Sequence, residues 1–186
     1  MPTRLAPWRV RTPALALAAV LLTGCGPAPE TPSSAQPATP GIPVPAGAQQ
    51  ATVVRAVDGD TVVLRGRGTG PLPADPTRVR VLLIDTPEVF EDPESFGEQA
   101  ADRFAELAPD GATVSVQADR DPQDRFGRTL LHVWADGVNV GEALLREGYA
   151  TVLVVRPNEL HLPAFEGAER DAEQADRGLW SACPRR

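Results

Sequence analysis

Residues 51–65, ATVVRAVDGDTVVLR, read as two short β-strands folded back on each other. Thr52–Val57 and Thr61–Arg65 are rich in β-branched residues, which pack well on a pleated surface. Between them stands Asp58-Gly59, a dipeptide that favours tight hairpin turns. Working outward, Gly66–Pro76 is a Gly/Pro-rich connection and Thr77–Asp85 (TRVRVLLID) a third strand, followed by an acidic loop over Glu88–Phe96. Glu98–Ala108 has helical spacing, with Ala101, Phe104 and Ala108 or Leu107 on one face. Ser95, three residues before Glu98, suggests a capping box. Ala112–Ala118 and Arg128–Trp134 are two more strands. Asn139 with Glu142 resembles another cap, opening a helix that ends at Gly148. Tyr149–Val155 reads as an extended segment. A last helix covers Pro163–Asp176, with Pro163 suited to its first turn and Gly178 to its end. Short strands mixed with three helices indicate an α+β domain that can close as a small barrel.

Toward the N-terminus the character changes. Arg4, Arg9 and Arg11 precede an apolar run, Ala14 to Leu22, which is shorter than the roughly 20 residues a membrane-spanning helix needs. It has the form of a signal-peptide core. The following Leu22-Thr23-Gly24-Cys25 resembles the lipobox of bacterial lipoproteins, which implies removal of residues 1–24 and lipidation of Cys25. Residues 26–49 contain seven prolines, one charge and no aromatic side chain. Such a stretch cannot bury enough apolar surface to offset its ordering entropy. The reading is a lipidated cysteine and disordered tether over 25–49, a folded domain over 50–182 and a tail at 183–186, held at the extracytoplasmic face of a cell-envelope membrane.

All 18 basic residues are arginines, against 25 acids, for a net charge of −7 over 186 residues. The leader holds three arginines and no acid, so residues 25–186 stand at −10. This balance excludes a generic, charge-driven nucleic-acid binder. Two cysteines exclude a disulfide scaffold and a cysteine-based zinc module. Cys25 is assigned to the lipid, so Cys183 is left as a lone thiol without an assigned role.

The chemistry-bearing residues fall where strands end. Asp60 follows the hairpin turn, and Asp85-Thr86-Pro87-Glu88 closes the third strand, which carries Arg80. Arg128 opens a later strand. Carboxylates and carbonyl oxygens are ligands for hard cations. Arginine forks bind phosphate oxygens in pairs, and a further carboxylate can act as general base on water. Together these are the parts of a phosphodiester-hydrolysis site. Taken singly, each also has a structural explanation: a turn at Asp58-Gly59-Asp60, a strand exit at Asp85–Glu88, or salt bridges at Arg80 and Arg128. His132 and His161 show no partner pattern, Trp134 and Trp180 read as core, and Phe126 reads as a core or loop anchor, with stacking on a base as its alternative.

Five ordered motifs resemble the thermonuclease (staphylococcal nuclease-like) family. They are VRAVDGDTV (54–62), VRVLLIDTPE (79–88), DRFGR (124–128), NVGEALLREG (139–148) and RGLW (177–180). The similarity spans about residues 51–182. It implies an OB-fold-like five-stranded barrel with three helices, acting as a monomer, and calcium-dependent hydrolysis of DNA or RNA to 3′-phosphorylated products. By motif position, Asp60, Asp85 and the Thr86 carbonyl would hold calcium. Glu88 would activate water, Arg80 and Arg128 would bind the scissile phosphate, and Arg125 would contact the nucleotide. Two features depart from the pattern: the Val89–Phe96 loop is acidic rather than lysine-rich, and Thr151–Arg156 lacks the nucleotide-binding tyrosines of some members. A non-catalytic nucleic-acid- or protein-binding barrel on the same anchor is the alternative. A phosphodiesterase for small nucleotides is a third reading, suggested by the acidic surface.

Overall fold

Val57 and Asp58 both donate backbone N–H groups to the Thr61 carbonyl, at 2.9 and 3.3 Å. That turn folds β1 (Gln49–Ala56) against β2 (Thr61–Arg65), as the Asp58-Gly59 dipeptide indicates. The structure, a computed structural model, describes residues 41–87 and 96–182. The expected signal segment, Cys25, Glu88 and Cys183 lie outside the described residues.

From the hairpin the sheet grows in both directions. β2 pairs antiparallel with β3 (Thr77–Val81). After a two-residue strand, β4 (Ile84–Asp85), and the first helix, α1 (Gly97–Leu107), comes β5 (Thr113–Gln117), which pairs antiparallel with β1. β6 (Thr129–Ala135) pairs antiparallel with β5 and parallel with β3. The β3–β6 ladder closes β1, β2, β3, β6 and β5 into a five-stranded barrel. β7 (Val138–Asn139) extends the end of β6. Helix α2 (Val140–Glu147) follows, then β8 (Thr151–Val152), α3 (Leu162–Gln174) and a four-residue α4 (Leu179–Ala182). The fold is the expected α+β barrel with three helices, plus this short fourth one.

Inside the barrel, Val53, Val62, Leu64, Val79, Val114, Leu131 and Val133 are buried. Every residue of β6 is buried, because α2 and α3 cover its outer face. Its sequence, TLLHVWA, therefore lacks the polar alternation of a half-exposed strand. On the outer layer Trp134 and Phe165 pack around His132. Among the described residues, no helix is long and apolar enough to cross a membrane.

Three boundaries differ from expectation. Thr77–Asp85 is not one strand. β3 stops at Val81, and Leu83 takes a left-handed backbone (φ 65°) before β4 begins. Helix α1 begins at Gly97 after Phe96, itself left-handed and with no side-chain cap, while Ser95 of the expected capping box lies outside the described residues. The buried face of α1 is Gly97, Ala100 and Phe104, which puts Ala100 in the place expected of Ala101. The other helix signals hold: Asn139 Oδ1 accepts from the Glu142 N–H at 3.0 Å, and Gly148 caps α2 at φ 80°.

Residues 41–48, read as the end of the tether, join the domain. Ile42 is buried, donates its N–H to Glu142 Oε2 (2.8 Å) and accepts from Trp134 Nε1 (3.0 Å). At the other end, Leu179 donates to the Gly148 carbonyl at 2.9 Å. A Cβ on Gly148 would stand 2.3 Å from the Arg177 carbonyl oxygen, so only glycine permits this approach.

Candidate active site

The break after β3 decides the site. On a regular strand Arg80 and Asp85, five positions apart, would face opposite sides. The left-handed turn at Leu83 swings β4 across, where Ile84 and Asp85 pair with Val152 and Thr151 of β8. The result is direct contact: Arg80 Nη2 lies 2.7 Å from Asp85 Oδ1. Arg80 Nη1 lies 2.7 Å from Asp60 Oδ2. One guanidinium thus spans two carboxylates that are 25 residues apart in sequence.

Asp60 is the buried member of this group. Its Oδ2 also accepts the Thr86 N–H at 3.1 Å, and its Oδ1 accepts the Thr61 hydroxyl at 3.1 Å. Its own N–H donates to Asp58 Oδ1, which orders the turn. Burial pushes the Asp60 carboxyl up to about 7, against the opposing pull of Arg80. Gly59 is required by space rather than by φ. A Cβ there would lie 2.8 Å from Thr86 Cγ2 and Oγ1 and from Ala100 Cβ, so α1 and Thr86 close directly over the turn.

The second arginine comes from a turn organised by Asp124. One oxygen, Oδ1, accepts the N–H groups of Phe126 (2.9 Å) and Arg128 (2.8 Å). The other, Oδ2, binds Arg128 Nε at 2.6 Å. Burial opposes the charge on Asp124, but the Arg128 side-chain hydrogen bond and the two N–H donors outweigh it and hold the carboxyl below its usual range. Gly127 supplies the positive φ (78°) that lets the turn close. Arg128 is thus held by Nε, leaving its two terminal nitrogens without a partner among the described residues. At the tip, the Arg125 guanidinium sits 4.6 Å over the Phe126 ring. Phe126 is 69% exposed, so it is neither core nor a buried anchor.

Arg80, Arg125, Phe126 and Arg128 line one cleft of about 480 Å³. Its far wall is Leu153 and Val155, both exposed, standing where tyrosines were noted as missing. Of the expected site residues, Asp60, Arg80, Asp85 and Thr86 are brought together by direct contacts, and Arg80 shares the cleft with Arg125 and Arg128. Among the described residues, no three His, Cys, Asp or Glu side chains form a metal-ligating group. The donors are two carboxylates with Thr86 beside them, an all-oxygen set of the kind hard divalent cations take. Burial disfavours the charged form of Asp60, which a bound cation would restore.

Sequence reading missed two contributors. Asp124 stands in the sequence as part of the DRFGR motif, although an Asp followed by Gly three residues later is a turn signal. The apolar cleft wall carries no polar signature and emerges only from the β4–β8 pairing.

A five-stranded barrel with Arg80, Arg125 and Arg128 lining a cleft on its outer face, and with Arg80 spanning Asp60 and Asp85, defines an OB-type domain with a basic cleft. The family model described as staphylococcal nuclease homologue matches residues 78–182, and the chain belongs to that family. It is 38% identical over 136 residues to the SPbeta prophage-derived endonuclease YokF of Bacillus subtilis (strain 168), covering 70% of this chain and 43% of that protein. It is 37% identical to the endonuclease YncB of the same organism, covering 70% of this chain and 61% of that one. Against the thermonuclease of Staphylococcus hyicus identity is 30%, covering 73% of this chain and 78% of that protein. The chain thus spans roughly half of the two Bacillus subtilis relatives.

Proposed function

We propose that this protein is a calcium-dependent nuclease that hydrolyses phosphodiester bonds in DNA or RNA, leaving a 3′-phosphate and a 5′-hydroxyl. The observation that carries the reading is that Arg80, held between two carboxylates, and Arg128, hydrogen-bonded among the described residues through Nε, line the same cleft. The endonuclease and thermonuclease names of its relatives support it.

In this reading Nη1 and Nη2 of Arg128 take two non-bridging oxygens of the scissile phosphate, with the bidentate geometry arginine favours. Arg80 shifts part of its hold from Asp85 to the same phosphate and stabilises the charge that grows on it in the transition state. Glu88 accepts a proton from the attacking water, whose oxygen bonds to phosphorus as the bond to the 5′-oxygen breaks. The leaving 5′-oxygen takes a proton from solvent. Asp60, Asp85 and the Thr86 carbonyl would hold calcium, which supplies positive charge beside the phosphate. Phe126 and the Leu153–Val155 wall receive the adjoining nucleoside. The Leu22–Cys25 motif supports a lipid anchor on Cys25 and an extracytoplasmic location.

The test is degradation of single-stranded DNA by the full chain with calcium and then with a calcium chelator. Cleavage that requires calcium, with 3′-phosphate ends, is the expected result. Absence of calcium-dependent cleavage overturns the reading and leaves a binding module.

A further inference from the structure

The barrel wall that leads away from the cleft is basic, in a protein that is acidic overall. β1, β2 and β3 carry Arg55, Arg65, Arg78 and Arg80 and no Asp or Glu. Val62, Leu64, Val79 and Val81 of β2 and β3 point into the core, so Thr61, Val63, Arg65, Arg78 and Arg80 share the outer face. Arg78 pairs with Val63, and Val63 pairs with Arg55 on its other side. A register shift between Val53 and Arg55 makes this possible. Val53 faces inward opposite Leu64, and a regular strand would send Arg55 inward as well. The extra residue, Val54, turns Arg55 out beside Val63, the kind of re-aiming that bulges perform.

Three of these arginines are exposed, and none of the three has an ion-pair partner among the described residues. Five arginines, Arg80, Arg103, Arg128, Arg146 and Arg156, are paired with carboxylates; Arg67, Arg120, Arg125, Arg170 and Arg177 are likewise without an ion pair among the described residues, and what sets Arg55, Arg65 and Arg78 apart is that they share one acid-free sheet face. A chain with net charge −7 has acids to spare. Leaving three neighbouring guanidinium groups unpaired keeps them open to an anion from outside.

We infer that the outer face of β1–β3 is a polyanion-binding track that carries the phosphate backbone of a nucleic-acid strand away from Arg80. Arg78 and Arg80 are successive outward residues on one strand, about 7 Å apart, comparable with the step between phosphates on an extended strand. Arg55 and Arg65 widen the track across β1 and β2. Arginine contacts to phosphate position a strand without reading its bases, so the track is indifferent to sequence. The track rests on the nuclease reading only for its starting point at Arg80. It gives an acidic protein a local hold on polymer, and therefore a preference for long strands over dinucleotides.

The test measures binding rather than cleavage. The full chain and an Arg55→Gln/Arg65→Gln/Arg78→Gln variant are titrated with a long fluorescent oligodeoxythymidylate in chelator, across a salt series. Circular dichroism confirms that both are folded. An Arg120→Gln/Arg170→Gln/Arg177→Gln variant, which removes the same three charges elsewhere, controls for net charge. Each lost phosphate contact lowers the salt slope by about 0.7 on a single strand, so the triple variant should lose about two units of slope and bind about tenfold more weakly at low salt. The control should keep the parental slope. Equal slopes and affinities for parent and triple variant would overturn the track. So would unchanged strand binding accompanied by loss of binding to phosphatidylglycerol vesicles, which would assign the arginines to a lipid surface. Because no cleavage is needed, loss of strand binding in a protein without nuclease activity would sustain the track and refute only the nuclease.

Discussion

Arg80 and Asp60 form an ion pair at 2.7 Å with both side chains only 10% exposed. Removing the cation would leave a buried carboxylate with its hydrogen bonds but no counter-charge. Breaking such a pair from one side costs about 3–5 kcal/mol. Arg80→Gln should therefore lower the urea midpoint severely as well as abolish activity. Asp85→Asn, whose side chain is 54% exposed, should cost at most about 1 kcal/mol. Equal losses in the two variants would contradict the assignment of Asp60 as the buried partner.

Asp124 is predicted to act through Arg128. Asp124→Ala frees Arg128 Nε and removes the acceptor for two turn N–H groups. Misplacement of a phosphate-binding group by about 1 Å can cost a hundredfold in rate, so kcat should fall by about that factor. Asp124→Asn retains one acceptor oxygen and should recover part of the loss. Steady-state kinetics on one oligonucleotide separates the two variants, and an Asp124→Ala enzyme with parental kcat would refute the positioning role.

Gly59→Ala tests the closure over the turn. The new Cβ would meet Thr86 and Ala100 at 2.8 Å. Overpacking of this kind costs about 1–3 kcal/mol. Because Thr86 donates to Asp60, the same change should weaken calcium binding measured by calorimetry. A variant with unchanged stability and unchanged calcium affinity would show that the loop yields freely.

Stability should fall on the acid side through His132. Burial pushes its imidazole down to about 4, helped by the neighbouring His161 and opposed by Asp119. The unfolded chain titrates near 6.5, so between 6.5 and 4 it binds more protons than the folded one. The domain therefore holds this contribution in full above pH 6.5 and loses it progressively as pH falls toward 4, by about 3 kcal/mol in all. His132→Leu should flatten the pH dependence of the urea midpoint over that interval. An unchanged slope would place the titrating group elsewhere.

Much of this architecture is legible residue by residue. Asp58-Gly59 marks the hairpin, and Asn139 with Glu142 and Gly148 bracket α2. These signals are local, and the forces behind them act within a few residues. What escapes the sequence is set by distant partners. Leu82 and Leu83 continue an apolar run, so nothing in TRVRVLLID announces the left-handed turn that brings Asp85 to Arg80. Thr151 and Val152 impose that turn through β8. His132 and His161, 29 positions apart, meet at 5.1 Å between ring centres only because α3 lies on β6. Ile42 resembles its proline-rich neighbours until Trp134 and Glu142, about a hundred residues later, claim it.

The two ends of the domain are both fastened to α2, Ile42 through Glu142 and Leu179 through Gly148. The consequence is one of timing. On a chain emerging from the ribosome Ile42 precedes its acceptor by 100 residues, and the closing contact at Leu179 comes only after α2 and α3. The barrel itself waits for β6, which must reach back to β3. Native packing is therefore complete only once Leu179 has been made, and a chain that stops short of it holds the barrel without its last fastening.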